Sequence, residues 1–164
     1  MFLIFTFLLI IMLIGLQFYF DRVIAKKISL KRKQVIFELL KDKFEGLKEI
    51  NPGFFECHLN NKNILFQYIA GTPHKYRISN HLIIHFEISN VEDDIKKLCK
   101  IHFNCTTIDN RDWVKKPVDL LLSNSLNSLV NNSEKTIQKI ISETEIYISQ
   151  KRRERDNNLK PIYL

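Results

Sequence analysis

The sequence predicts an α+β protein in which one N-terminal transmembrane helix precedes a small cytosolic domain, with an antiparallel sheet of three to five strands covered by amphipathic helices. Residues 1–20 contain no charged side chain, and residues 21–33 are strongly basic. Residues 35–150 alternate between the two-residue period of strands and the 3.6-residue period of helices. The expected parts are a transmembrane anchor (1–20), a basic juxtamembrane segment and amphipathic helix (21–50), an α+β domain (51–150) and a basic C-terminal tail (151–164).

The apolar run at the N-terminus has the length of a membrane span. A helix rises about 1.5 Å per residue, so roughly 20 residues cover the ~30 Å hydrocarbon layer. The apolar core of a secretory signal needs only about 7 to 15 residues. Cleavage after Ala25 is the alternative, because Val23 and Ala25 form a small-residue pattern. The missing basic start and the charges of Asp21 and Arg22 oppose it.

The basic residues after the apolar run predict the orientation. Positive flanks stay on the cytoplasmic side of a membrane. We therefore expect a single-pass protein of the cell (inner) membrane, with the N-terminus outside and the C-terminal domain in the cytoplasm. The bases expected to contact anionic headgroups at the membrane surface are Arg22, Lys26, Lys27, Lys31, Arg32 and Lys33.

The net charge of +7 is concentrated at two places in the chain. Residues 21–33 hold six bases and one acid, and residues 150–164 hold five bases and two acids, which leaves the stretch between them close to neutral. A neutral central domain argues against a nucleic-acid partner. The three cysteines are an odd number, which argues against a disulfide framework and suits a reducing compartment.

The first half of the domain predicts a helix followed by three strands. Apolar residues recur at helical spacing from Val35 to Ile50, and the sequence NPG at 51–53 stops that helix. Two alternating runs, 54–59 and 63–70, surround a polar turn at 60–62 and predict a hairpin. A loop over 71–80 and a third strand over 81–89 follow.

The second half predicts further helices and one possible strand. Ser89 and Glu92 match a capping box, which favours a helix over 90–102. Residues 103–108 are a candidate fourth strand, and 109–116 are interpreted as a solvated turn. Pro117 suits the first turn of another helix. The run from Ser133 begins helically, but 144–148 alternates in residues that favour strands, so 143–150 is open between helix and strand.

The candidate functional residues are potential metal ligands on one strand face. Alternation places His81, His85 and Glu87 on the same face of the third strand, with His58 on the corresponding face of the first. Imidazoles and carboxylates in such an array can bind a metal, whereas the alternative is an ordinary solvated sheet face. The spacing of Cys99, His102 and Cys105 differs from that of paired zinc knuckles. We predict no catalytic residue and no cofactor, because glycine-rich, nucleophile-elbow and zinc-protease motifs are absent from the sequence.

These features predict a protein that is more binding module than enzyme. The expected partners are the lipid bilayer and another protein, which the domain would bind as an accessory subunit or an immunity-type inhibitor. One alternative is a membrane-tethered metal-binding domain or hydrolase that uses the strand histidines. The other is an exported soluble protein after signal cleavage. The partner's identity and the oligomeric state stay open.

Overall fold

In the residues that the structure describes, the chain folds as an α+β protein with six strands and with helices before and after them. The computed structural model describes residues 2–70, 80–118 and 125–158. Helix α1 (Phe2–Tyr19) continues through a π-helical turn (Phe20–Ile24) into helix α2 (Ala25–Lys43). The later elements are β1 (Lys48–Asn51), β2 (Phe54–Leu59), β3 (Lys62–Ala70), β4 (Asn80–Glu87), α3 (Asp93–His102), β5 (Cys105–Ile108), β6 (Arg111–Pro117) and α4 (Leu126–Asn158). The predicted α+β class is confirmed.

The prediction of a transmembrane helix over residues 1–20 is wrong. Within the described parts of the chain, no helix combines the length and the apolar character needed to cross a membrane. Helix α1 has 18 residues, which corresponds to about 27 Å, and a π-helical turn follows it directly. The predicted single-pass topology and the placement in the cell (inner) membrane are overturned with it.

Helix α1 lies apart from the core. Its large hydrophobic side chains from Ile4 to Tyr19 are between 47% and 68% exposed. By contrast, α2 turns Ile36 and Leu40 into the protein, where both are fully buried. The hydrophobic core therefore begins at α2, and the side chains described in α1, from Ile4 to Tyr19, are not part of it.

The six strands form one sheet in the order β1-β2-β3-β4-β6-β5, and each neighbouring pair is antiparallel. The predicted number of three to five strands is thus too low. The β2–β3 and β5–β6 connections are two-residue turns, Asn60–Asn61 and Asp109–Asn110, in which both residues have positive φ. Those conformations are typical of type I′ hairpins, whose twist matches that of the strands.

One sheet face packs against the helices, as the alternation predicted. Phe37 of α2 contacts Phe55 of β2, and Phe44, the residue after α2, contacts Phe66 of β3, with ring centroids 5.2 and 5.1 Å apart respectively. The buried residues that the strands contribute to this core include Phe55, Cys57, Ile64, Phe66, Tyr68, Leu82, Ile84, Phe86, Ile88 and Val114. Helix α4 covers the same core with residues such as Leu129, Ile137 and Ile140.

The predicted boundary between the helix that begins near Val35 and the first strand needs correction. Helix α2 ends at Lys43 instead of continuing to Ile50, and the NPG sequence forms the β1–β2 turn. Gly53 has φ +88° there, and a Cβ at this position would lie 3.0 Å from the Tyr68 carbonyl oxygen. Only glycine meets both conditions without strain, so the sequence signal for a helix stop is in fact a turn requirement.

The later predictions also have mixed outcomes. Glu92 is the N-cap of α3 but makes no side-chain cap hydrogen bond, and the Ser89 hydroxyl instead accepts a hydrogen bond from Asp112 N (3.0 Å). Pro117 is the last residue of β6 and does not begin a helix. Residues 143–150 are helical within α4. The predicted loop over 71–80 lies outside the described residues except for Asn80, as do residues 119–124 of the helix predicted from Pro117.

Candidate functional site

The face of the sheet opposite the helices is concave. A cavity on it is lined by Ile50 and Asn51 of β1 and by Ile108 and Asp109 from the end of β5 and its turn. These strands are the two opposite edges of the sheet. Residues from both edges can line one cavity only if the sheet curls toward this face, which the natural twist of strands favours. We call this surface the concave face.

Curling buries side chains that the alternation pattern assigned to solvent. Leu65 and His85 are each 1% exposed, and Trp113 is fully buried, although all three point away from the helix-packed core. His58 and His81 on the same face are exposed, as expected of a solvated surface. The concave face is therefore an apolar floor with a polar margin.

Arg111 covers the floor of the concave face. Its guanidinium lies over the Trp113 ring, 4.8 Å from the centroid. It forms ion pairs with Glu56 of β2 (2.5 Å) and Glu87 of β4 (3.7 Å). Glu87 also accepts a hydrogen bond from Asn63. Arg111 thus connects β6 to its neighbour β4 and to β2, which lies three strands away in the sheet order.

Nearby carboxylates stabilise the charged form of Arg111. A hydrogen bond to Glu56 raises the pKa of Arg111, and the charges of Glu56, Glu87 and Asp109 act in the same direction, against the effect of burial. Three carboxylates therefore act on one guanidinium. Bases lie on the same face as these acids, since Lys48 is the cross-strand partner of Glu56 and Lys115 that of His85.

The cavity beside Arg111, which we call the socket, has apolar walls and a polar rim. Its apolar residues are Ile50, Phe54, Leu65 and Ile108, and its rim is formed by Asn51, Asp109 and Arg111. It has a volume of about 40 Å³, or room for roughly three waters, whereas pockets for small molecules and cofactors have about 300–1,000 Å³. The socket has the size of one slender side chain.

His85 is a buried, neutral imidazole. Burial, followed by the charge of Lys115, lowers the pKa of His85 to about 4. Its cross-strand neighbours are Leu65 and Lys115, and Nε2 lies 3.2 Å from the side-chain oxygen of Gln67. Nδ1 has no hydrogen-bond partner among the described residues. The usual carboxylate partner of a catalytic histidine does not stand opposite His85.

The structure does not bring the four candidate metal ligands together. His81 and His85 are four residues apart on β4, which separates them by about 13 Å. His58 is two strands away from Glu87, and Glu87 is engaged by Arg111 and Asn63. In the described parts of the chain, no group of three or more histidine, cysteine or acidic residues could hold a metal ion.

The cysteines are also placed as core residues rather than ligands. Cys57 and Cys99 are buried, and burial raises the pKa of the Cys57 thiol to about 12 and that of Cys99 above its usual value. His102 stacks on Tyr147 with ring centroids 4.3 Å apart. A protonated thiol is a poor nucleophile and a poor metal ligand.

The basic residues that were predicted to contact lipid have different environments. Lys26, Lys27 and Lys31 are exposed on α2. Arg32 donates a hydrogen bond to Asn80 Oδ1 (3.4 Å), and Lys33 donates one to the Pro52 carbonyl oxygen (3.5 Å). These two attach α2 to the sheet. The side chain of Arg22 is outside the described set, and contact of the six bases with headgroups stays a prediction.

Sequence reasoning missed Arg111, Trp113 and Leu65 as site residues. It assigned Arg111 and Trp113 to a solvated turn, whereas they belong to β6. The signal was present in Asp109–Asn110, because a pair of residues that tolerate positive φ between two short runs is typical of a hairpin. Comparison of the chain with family models, curated proteins and solved structures finds no match.

Proposed function

We propose that this chain is a non-enzymatic protein-binding module, of the accessory or immunity type, whose concave face receives a segment of another protein. The observation that carries the proposal is the socket, an apolar-walled cavity the size of one side chain beside a stacked arginine and tryptophan. Binding energy at protein interfaces concentrates where one anchoring side chain enters such a pocket.

The environments of the side chains that could act as nucleophile or base favour binding over catalysis. The raised pKa of Cys57 keeps its thiol protonated at neutral pH. His85 is neutral but lies between Leu65 and Lys115, without a carboxylate opposite it to orient the ring. The socket is too small for the substrates and cofactors that enzymes commonly bind.

Strand β1 offers a route by which a partner segment could reach the socket. It is an edge strand, and all four of its residues are exposed. Edge strands present unpaired backbone groups that can pair with an extended segment of another chain. Ile50 and Asn51 belong to β1 and also line the socket, so a segment on this edge would pass beside it.

Photo-crosslinking in the native cells tests this proposal. The crosslinking amino acid p-benzoylphenylalanine would replace His58 or Ile69, two exposed residues of the concave face, in the full chain. Matched controls would carry it at Lys135 and Lys139, which are exposed on α4. We expect adducts with one protein from the concave positions only. Equal adducts from all four positions, adducts with lipid alone, or none would contradict the proposal.

A further inference from the structure

We infer that Cys99 and Cys105 form a redox-active pair, which a small disulfide oxidant such as oxidised glutathione joins in an intramolecular disulfide. The inference does not depend on the binding function proposed above. Its basis is the position of the Cys105 sulfur, which lies 3.6 Å from the carbonyl oxygen of Cys99 in the last turn of α3.

The connection from α3 to β5 folds back and brings the two cysteines together. Phe103, the C-cap of α3, donates its backbone N–H to the Cys99 carbonyl oxygen (2.8 Å), and the Cys105 thiol donates to the same oxygen. A carbonyl oxygen lies about 2.4 Å from its own Cα, so the Cys105 sulfur is within about 6 Å of the Cα of Cys99. The charge of Cys99 also acts on the Cys105 thiol and raises its pKa, as expected of neighbouring sulfurs. A bond between the two sulfurs would close a ring over residues 99–105.

The different exposure of the two thiols sets the order of the reaction. Cys105 is half-buried and Cys99 is fully buried, so the oxidant meets Cys105 first. The Cys105 thiol loses its proton and forms a bond to one glutathione sulfur, while the other glutathione leaves as a thiolate. Cys99 then loses its proton, attacks the Cys105 sulfur and releases the second glutathione thiolate. The cysteine pair loses two electrons, and oxidised glutathione is reduced to two molecules of glutathione.

The surroundings of Cys105 affect the rate of this reaction and not its equilibrium. Burial raises the pKa of the Cys105 thiol, with Cys99 and Asp112 acting in the same direction, whereas the charges of Lys100 and Lys115 lower it. The thiolate fraction at neutral pH is therefore small, and the first step is slow. The equilibrium depends instead on how closely the fold holds the two sulfurs.

The disulfide would attach α3 to one edge of the sheet. Strand β5 is an edge strand that pairs with β6, and its last residue, Ile108, lines the socket. Disulfides stabilise a fold by constraining the unfolded chain. Oxidation should therefore raise the urea midpoint of the full chain.

Redox titration of the full chain tests the inference. The protein is equilibrated with mixtures of reduced and oxidised glutathione and quenched with acid, and its free thiols are alkylated after denaturation and located by peptide mass spectrometry. The internal control is Cys57, which is buried on β2, four strands away from β5 in the sheet order.

We expect a disulfide between Cys99 and Cys105, with Cys57 free. Because the fold holds the pair together, the equilibrium constant for forming this disulfide should be about tenfold or more larger in the native protein than in urea. A native constant equal to or below the constant in urea would overturn the inference. A lasting mixed disulfide at Cys105, a disulfide between two chains as the main product, or no oxidation would also overturn it.

Three variants test the pairing and the order of the steps. Cys99→Ala removes the second thiol, so Cys105 should accumulate as the mixed disulfide with glutathione. Cys105→Ser keeps a hydroxyl that can donate to the Cys99 carbonyl oxygen, and Cys99 should stay reduced in this variant because it is fully buried. Cys57→Ala should form the same disulfide as the native chain. Rapid glutathionylation of Cys99 in Cys105→Ser would contradict the order, and loss of the disulfide in Cys57→Ala would contradict the pairing.

Discussion

Replacement of Arg111 by methionine should destabilise the protein and expose the indole ring of Trp113. Methionine keeps an unbranched side chain but removes the ion pairs with Glu56 and Glu87, whose side chains are only 20% and 10% exposed. Losing a hydrogen bond to a charged group costs about 1.5–3 kcal/mol, and losing the cation over the Trp113 ring costs about 0.5–1 kcal/mol. The free energy of unfolding should therefore fall by about 2–4 kcal/mol.

Trp113 is the single tryptophan of the chain, so its fluorescence reports directly on the concave face. Urea denaturation followed by this emission measures the stability, and the emission maximum of the folded variant measures exposure of the ring. We expect a red shift in native Arg111→Met, because the guanidinium no longer lies over the indole.

Arg155→Met is the matched control, since Arg155 forms ion pairs on the exposed surface with Asp94 and Glu92. Exposed pairs contribute about 0–1 kcal/mol, so this variant should be nearly neutral and keep the native emission. An Arg111→Met variant as stable as the control, with unchanged emission, would refute the reasoning that Arg111 closes the concave face.

Three further predictions follow from buried and ion-paired groups. The pKa of His85 is about 4 in the folded protein, whereas its usual value is 6.5. The contribution of neutral His85 to the free energy of unfolding is therefore present above pH 6.5 and declines by about 3 kcal/mol as the pH falls toward 4. The urea midpoints of His85→Gln should lack this decline, whereas those of His81→Gln should retain it. Gly53→Ala should cost about 1–3 kcal/mol, because φ is +88° and the Tyr68 carbonyl lies 3.0 Å from the new Cβ, and Gly15→Ala, with open space around it, should cost nothing measurable. The Arg152 hydrogen bond lowers the pKa of Glu92 to about 2, so the stability that this pair contributes is present above pH 4.5 and is lost as the pH falls toward 2. The protection factors of the amides in 149–157, which compare each rate with its intrinsic rate at the same pH, should fall over that range in the native protein but not in Glu92→Gln.

The sequence predicted elements whose pattern is local. The alternation in 55–59, 64–68 and 82–88 correctly identified both the strands and the residues that face the helices, because the two-residue period is a property of the strand itself. The hairpin turn at Asn60–Asn61 was recognisable for the same reason. Local patterns also identified most of α3.

Elements that depend on distant residues were not predictable in this way. Leu47 and Ile50 continue the apolar stripe of α2, so only the structure shows that Gly46, with φ +74°, separates the helix from β1. Burial of Trp113 depends on curling of the whole sheet, which brings β5 toward β1. The predicted span treated the apolar run of 20 residues as one helix, whereas α1 ends at Tyr19 and a π-helical turn follows; no described helix meets the requirements for crossing a membrane.

The most direct test of the binding function is a crosslink from the rim of the socket itself. Asn51 is exposed there and accepts a photo-reactive residue without disturbing the core. After irradiation of cells that express the full chain, mass spectrometry of the adduct identifies the crosslinked peptide. We expect adducts with one partner protein from Asn51 and no adduct from the Lys139 control. Adducts identical to those of the control, or none, would contradict a protein-binding role for the concave face.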